Sequence, residues 1–137
     1  MSTKLEAVEA LKILVSFINK DQLEVLREAM RGEERQFFFD LLCNLAERIV
    51  LMPETYEQDG KGYEAIAYLH YFAGGCDWYI TEKDCDPDGE GQRQAYGQAD
   101  LGYGPELGYI SIAELLENKV EIDLYYAPKT LAAINAR

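Results

Sequence analysis

Several things are scarce in this chain, and each scarcity narrows what it can be. Histidine and tryptophan occur once each, and cysteine three times in 137 residues. Three thiols with no CxxC spacing fit a reducing compartment rather than a disulfide framework. No apolar run approaches the roughly 20 residues of a membrane span. The first ten residues, MSTKLEAVEA, lack the apolar stretch of a secretory signal. The chain is therefore expected in the cytoplasm and away from membranes. Lysine and arginine total 13 against 25 acids, a net charge of −12, and they do not cluster. Direct binding to nucleic acid is excluded on that ground, because a phosphate backbone needs a basic footprint. No GxSxG, phosphate loop or dinucleotide fingerprint is present, and Gly102-Tyr103-Gly104 reads as a turn.

What is present is enough for a packed core. Hydrophobic residues make up 48% and aromatics 12%, which argues against disorder. The length fits one domain, residues 1–137, with a helical part over 1–52 and a sheet part over 63–137. The organising stretch is residues 65–82, AIAYLHYFAGGCDWYITE. Strand-forming residues flank a glycine pair, the pattern of a hairpin. Cys76, Trp78 and Ile80 fall on one face of the second strand. Trp78 is the expected anchor of the sheet on the helices.

Three helices are expected before that hairpin. Thr3 and Glu6 form a capping box, and Leu5, Val8, Leu11, Val15 and Ile18 mark one apolar face. Asp21 with Glu24 opens a second helix with the stripe Leu23, Leu26, Met30, and Gly32 is its expected left-handed C-cap. The third buries Phe37, Phe38, Leu41, Leu42, Leu45 and Ile49 and stops before Pro53. The polar stretch 53–62 reads as the boundary between the helical and sheet parts. After the hairpin, alternation predicts a strand over 94–101, a short one over 106–110, a helix capped by Ser111 and a strand over 120–126. A short closing helix follows near 129–136. The fold class is α+β: a three-helix N-terminal part packed on an antiparallel sheet of four to five strands, with short helices.

The second half also resembles a known family. Trp78-Tyr79, Glu82 and Asp84 come first, and Glu106-Leu107-Gly108-Tyr109 with Ser111, Glu114 and Leu115 follow. Asp123-Leu124-Tyr125-Tyr126 and Pro128-Lys129 complete the pattern. In that order, over residues 65–131, they resemble the domain-of-unknown-function family 2958. Its members are small proteins of phages, plasmids and integrative elements. The resemblance implies an α+β fold and a mobile-element origin, and it brings no catalytic residues. The acidic insert 85–92 and the helical N-terminal part depart from the family pattern.

Candidate sites follow from the acids and tyrosines. Asp84, Asp86 and Asp88 with Gly89 match the start of a calcium loop, but its twelfth position falls on Ala95 instead of glutamate. His70, Cys76 and Cys85 lack the spacing of a structural zinc site. Glu82, Asp84 and His70 could serve acid–base chemistry only with a perturbed environment. Nine of the ten tyrosines lie in the sheet half, where they suit strands and interfaces alike. The expected function is protein binding by a small acidic accessory protein of a mobile element. A counter-defence inhibitor that occupies a basic nucleic-acid-binding surface is its sharpest form. The expected contact residues are Glu82, Asp84, Asp86, Asp88 and Glu90 in the loop, Glu121, Asp123 and Tyr125 on the last strand, and Tyr103 in a turn. No cofactor is expected, with calcium the one cation suggested. The alternative is a metal-dependent hydrolase that uses the acidic loop 82–90.

Overall fold

The computed structural model describes residues 1–85 and 91–136. The fold is α+β. Helices α1 (Lys4–Leu14), α2 (Lys20–Ala29) and α3 (Arg35–Leu51) come first. Strands β1 (Ile66–Ala67), β2 (Leu69–Ala73), β3 (Cys76–Glu82), β4 (Ala95–Asp100) and β5 (Pro105–Ile110) follow. Then come α4 (Ile112–Glu117), β6 (Glu121–Ile122), β7 (Lys129–Thr130) and α5 (Leu131–Asn135). Five strands form an antiparallel sheet in the order β5-β4-β3-β2-β6, and β1 pairs with β7 apart from it. No helix among the described residues is long and apolar enough to cross a membrane.

Helix α2 buries the expected stripe Leu23, Leu26 and Met30, but the buried faces of α1 and α3 differ in part from the periodic reading. Thr3 and Glu6 close the capping box of α1. That helix buries Ala7, Ala10, Leu11 and Leu14 and leaves Leu5 71% exposed, with Val8 and Val15 also exposed. It packs along α3, and the small alanines let the two axes approach where larger side chains would hold them apart. Asn19, not Asp21, caps α2. Its Oδ1 accepts the Gln22 N–H while its Nδ2 donates to the Val120 carbonyl. One side chain thus serves the helix end and the sheet together. Met30 ends α2 in the right-handed region, and Gly32 does not take the left-handed cap. In α3 the buried residues are Phe39, Leu42, Leu45, Ala46 and Ile49, while Phe37 stays exposed.

The β2–β3 hairpin turns on Gly74 (φ 53°) and Gly75 (φ 98°). Both φ values are positive, as a two-residue turn matched to strand twist requires. Leu69, Tyr71, Ile80, Ala95 and Ile110 share one core with the helices. Tyr71 is fully buried there and its hydroxyl donates to the Phe17 carbonyl at 2.6 Å. Trp78 is only half-buried at the margin of that core. The side chain that pins sheet to helices is therefore Tyr71, because its phenol reaches the Phe17 carbonyl between α1 and α2 while its ring fills the core. The opposite face of the sheet is also covered. Ala67, Tyr79, Tyr126, Leu131 and Ile134 form a second, smaller cluster under α5.

One further expectation is corrected. The strand over 120–126 pairs only at Glu121 and Ile122. Asp123 then accepts the Tyr125 N–H with its own carboxylate at 3.0 Å, an Asx turn that competes with the ladder. Tyr126 consequently reaches the smaller cluster rather than the side of Val120 and Ile122. The stretch 53–62 runs between α3 and the strands, and polar side chains tie it to the sheet part. Thr55 donates to the Lys83 and Gln94 carbonyls, and Gln58 bridges Ile66 and Thr81. Both side chains are buried.

Candidate functional site

The site begins with an irregularity in β3. Ile80 faces Gly97 across the β3–β4 ladder, but Glu82, two residues on, faces Tyr96, one residue back. Thr81 is the extra residue of a bulge, and a bulge re-aims the side chains that follow it. Strict alternation puts Glu82 on the helix side with Ile80. The bulge sets it opposite Tyr96 instead. Glycine at position 97 permits this approach: a Cβ there would lie 1.9 Å from the Tyr79 carbonyl oxygen. The glycine that looked like a weakness in the third strand is what the bulge demands.

Glu82 then lines a cavity of about 210 Å³ with Thr55, Tyr56, Asp59, Tyr96, Leu107 and Tyr109. The residue is only 4% exposed. Its Oε1 accepts the Tyr56 N–H. Among the described residues its Oε2 has the Thr81 hydroxyl alone, at 3.4 Å, and that hydroxyl lies closer to the Tyr96 carbonyl, at 3.1 Å. Tyr56 holds φ at 80°, a strained value for a residue with a side chain. At that φ its N–H donates to Glu82. The Tyr56 and Tyr109 hydroxyls lie 2.6 Å apart, and the Tyr96 and Tyr109 rings meet edge to face at 5.6 Å. The bond to Tyr56 pushes the Tyr109 phenol above the usual tyrosine range.

A second cluster lies next to α5. His70, largely buried, is stacked on Tyr79 at 4.4 Å. Its Nε2 lies 2.7 Å from Asp77 and its Nδ1 3.1 Å from Asp123. Carboxylates only accept, so a ring protonated on both nitrogens donates to both, and a neutral ring to one. Neither nitrogen is free for a substrate. Arg48 of α3 stands near Tyr126 and Asp123; burial lowers its proton affinity, and those two groups act against that. Its Nη1 is buried with no hydrogen-bond partner among the described residues. Burial pushes the Tyr126 phenol up to about 12.

The residues singled out from sequence scatter over these features. Asp84 closes the neck of the acidic loop: its N–H donates to Gln92 and its carboxylate accepts the Gln94 N–H. Asp86, Asp88 and Glu90 lie outside the described residues. Glu121 is exposed on β6, and Asp123 is shared between His70 and the Asx turn. Tyr125 is exposed with its ring 6.4 Å from Phe37, and Tyr103 is exposed at its turn. Glu82, Asp84 and His70 do not meet, since each is bonded to different partners. Among the described residues no three His, Cys, Asp or Glu side chains could hold a metal. Sequence reasoning missed Tyr56 and Asp59. Their one signal was an aromatic and an acid beside glycine in an otherwise polar stretch.

Compared with family models, curated proteins and solved structures, the chain matches none of them.

Proposed function

We propose that this chain is a small acidic accessory protein of a mobile genetic element, acting by binding a protein with a basic surface. In its sharpest form it is a counter-defence inhibitor that occupies the partner's nucleic-acid-binding channel. The observation that carries this reading is a group of acids and tyrosines beside the Glu82 cavity and at the end of β4. Asp59, Glu82 and Asp100 have no ion pair to lysine or arginine among the described residues. Exposed Tyr56 and Tyr109 lie among them. On the helices, by contrast, Lys12, Arg27 and Arg31 pair with acids three residues away. Acids without an ion pair beside exposed tyrosines suit a basic partner, through steering and through area gained at low entropy cost. The resemblance to the mobile-element family supports the biological setting. The alternative, a metal-dependent hydrolase using the acidic loop 82–90, has less behind it, since Glu82 and Asp84 are bonded to different partners.

The test is competitive. The chain is used to capture a partner from host extract, and duplex DNA is then added. Release of the partner by DNA and by salt is expected, with no binding of DNA to the chain itself. Changing the exposed Asp59 and Glu121 together with Asp86, Asp88 and Glu90 to Asn or Gln should slow association. A captured partner that resists both DNA and salt, with an unchanged association rate for that variant, overturns the reading.

A further inference from the structure

We propose that the Glu82 cavity is a receptor for one guanidinium group, the side chain of an arginine on the protein partner. The identity of that partner rests on the reading above; the cavity's chemistry does not. A carboxylate this deeply buried is costly unless a cation or several donors meet it. Glu82 receives one backbone N–H and a long hydroxyl contact. The neighbouring cation, Lys83, is committed elsewhere: its ammonium donates to the Ile49 and Val50 carbonyls at the end of α3. A buried acceptor lining a cavity with capacity to spare is the first half of a cation site.

The walls supply the second half. Tyr56, Tyr96 and Tyr109 line the same cavity, and aromatic faces attract cations. The Tyr56–Tyr109 hydroxyl bond and the edge-to-face contact of Tyr96 with Tyr109 fix these rings in advance. Asp59 adds a second carboxylate at the exposed rim. The cavity, at about 210 Å³, is smaller than the about 300–1,000 Å³ of sites for drug-sized ligands. It fits the end of one side chain. Guanidinium suits it better than ammonium, being planar, weakly hydrated and able to stack on tyrosine while donating to carboxylate. The bulge at Thr81, the close approach at Gly97 and the strained φ of Tyr56 all serve to place this one carboxylate. Strain concentrated at one cavity is the pattern of a functional site.

The experiment uses the full chain, labelled with ¹⁵N, and three probes: the N-acetyl methylamides of arginine, lysine and citrulline. Citrulline has arginine's shape without its charge. Arginine should shift the amide signals of Tyr56, Thr81, Glu82 and Tyr109 saturably. Lysine should bind more weakly, and citrulline roughly tenfold more weakly or not at all. Glu82→Gln keeps an acceptor for the Tyr56 N–H and should weaken arginine by a similar factor. Asp59→Asn, at the exposed rim, should weaken it less and leave the core packing as it is. Equal binding of citrulline overturns the cation assignment. Lysine binding as tightly as arginine overturns the guanidinium assignment. Shifts spread over the acidic surface and unchanged by Glu82→Gln overturn the site. Saturable arginine binding that depends on Glu82 supports the cavity even if no basic partner is captured. A partner that binds Glu82→Gln as tightly as the parent would show that its arginine does not enter here.

Discussion

Tyr71→Phe removes one oxygen atom and tests the joint between the two layers. In the parent the ring is fully buried, and the hydroxyl donates at 2.6 Å to the Phe17 carbonyl just beyond α1. Phenylalanine keeps the ring and its packing. What is lost is the bond, and the Phe17 carbonyl loses that donor. Leaving a buried acceptor unmet costs about 1–3 kcal/mol. At this chain length that corresponds to a fall in Tm of roughly 3–15 °C. Urea denaturation followed by circular dichroism would measure it, with an unchanged m-value if the two layers still unfold together. The pH dependence adds a second readout. Burial raises the Tyr71 phenol well above its ordinary value. The folded state therefore holds that proton after the unfolded chain releases it, near pH 10. The stabilisation is complete below pH 10 and is lost as pH climbs through the folded value. The parent should lose stability above pH 10 more steeply than the phenylalanine variant, and the gap between them should close. A loss below about 0.5 kcal/mol at neutral pH, with parallel alkaline curves, would refute the placement of this hydroxyl.

Gly97→Ala should cost about 3 kcal/mol or more, because its Cβ would meet the Tyr79 carbonyl, whereas Gly108→Ala, with nothing within 4 Å, should change stability by less than about 0.5 kcal/mol. Chemical denaturation of the pair checks this, and equal effects would remove the argument for the bulge. His70→Ala should cost about 1–3 kcal/mol, since it strips a donor from Asp77 and Asp123 and a stacked ring from Tyr79. A thermal melt reads that effect, and a neutral result would mean that water serves the two acids equally well. Tyr126→Phe should flatten part of the stability loss between pH 10 and about 12, because burial holds that phenol up in the folded state. Alkaline melts of parent and variant compare the slopes. Tyr125→Ala should mainly raise the dissociation rate from a captured partner, because the ring is exposed and lies beside Phe37. Surface plasmon resonance separates that from a change in association.

Local chemistry settled much of this fold before any tertiary contact. The Thr3–Glu6 capping box, the Gly74-Gly75 turn, the Ser111 cap and the stop before Pro53 are encoded within four residues of where they act. Each depends on short-range geometry, so neighbouring residues suffice to read it. The α+β class followed from the same signals, since period-3.6 stretches precede period-2 stretches. Which helix face is buried did not follow. Leu5, Val8 and Val15 are as apolar as a core stripe, yet the face with Ala7 and Ala10 won. Close helix packing rewards small side chains as well as large ones. The last strand stopped early for a similar reason: the Asp123 carboxylate turns back on its own backbone and reaches His70, 53 residues away in the chain. The cavity was the least legible part. Its carboxylate reaches Tyr96 only through a bulge, and a one-residue shift in pairing leaves no trace in alternation. Glu82 was visible as an acid from the start. Its burial against Tyr56, 26 residues earlier, and Tyr109, 27 later, is a product of strand register and chain crossing, which only the tertiary structure decides.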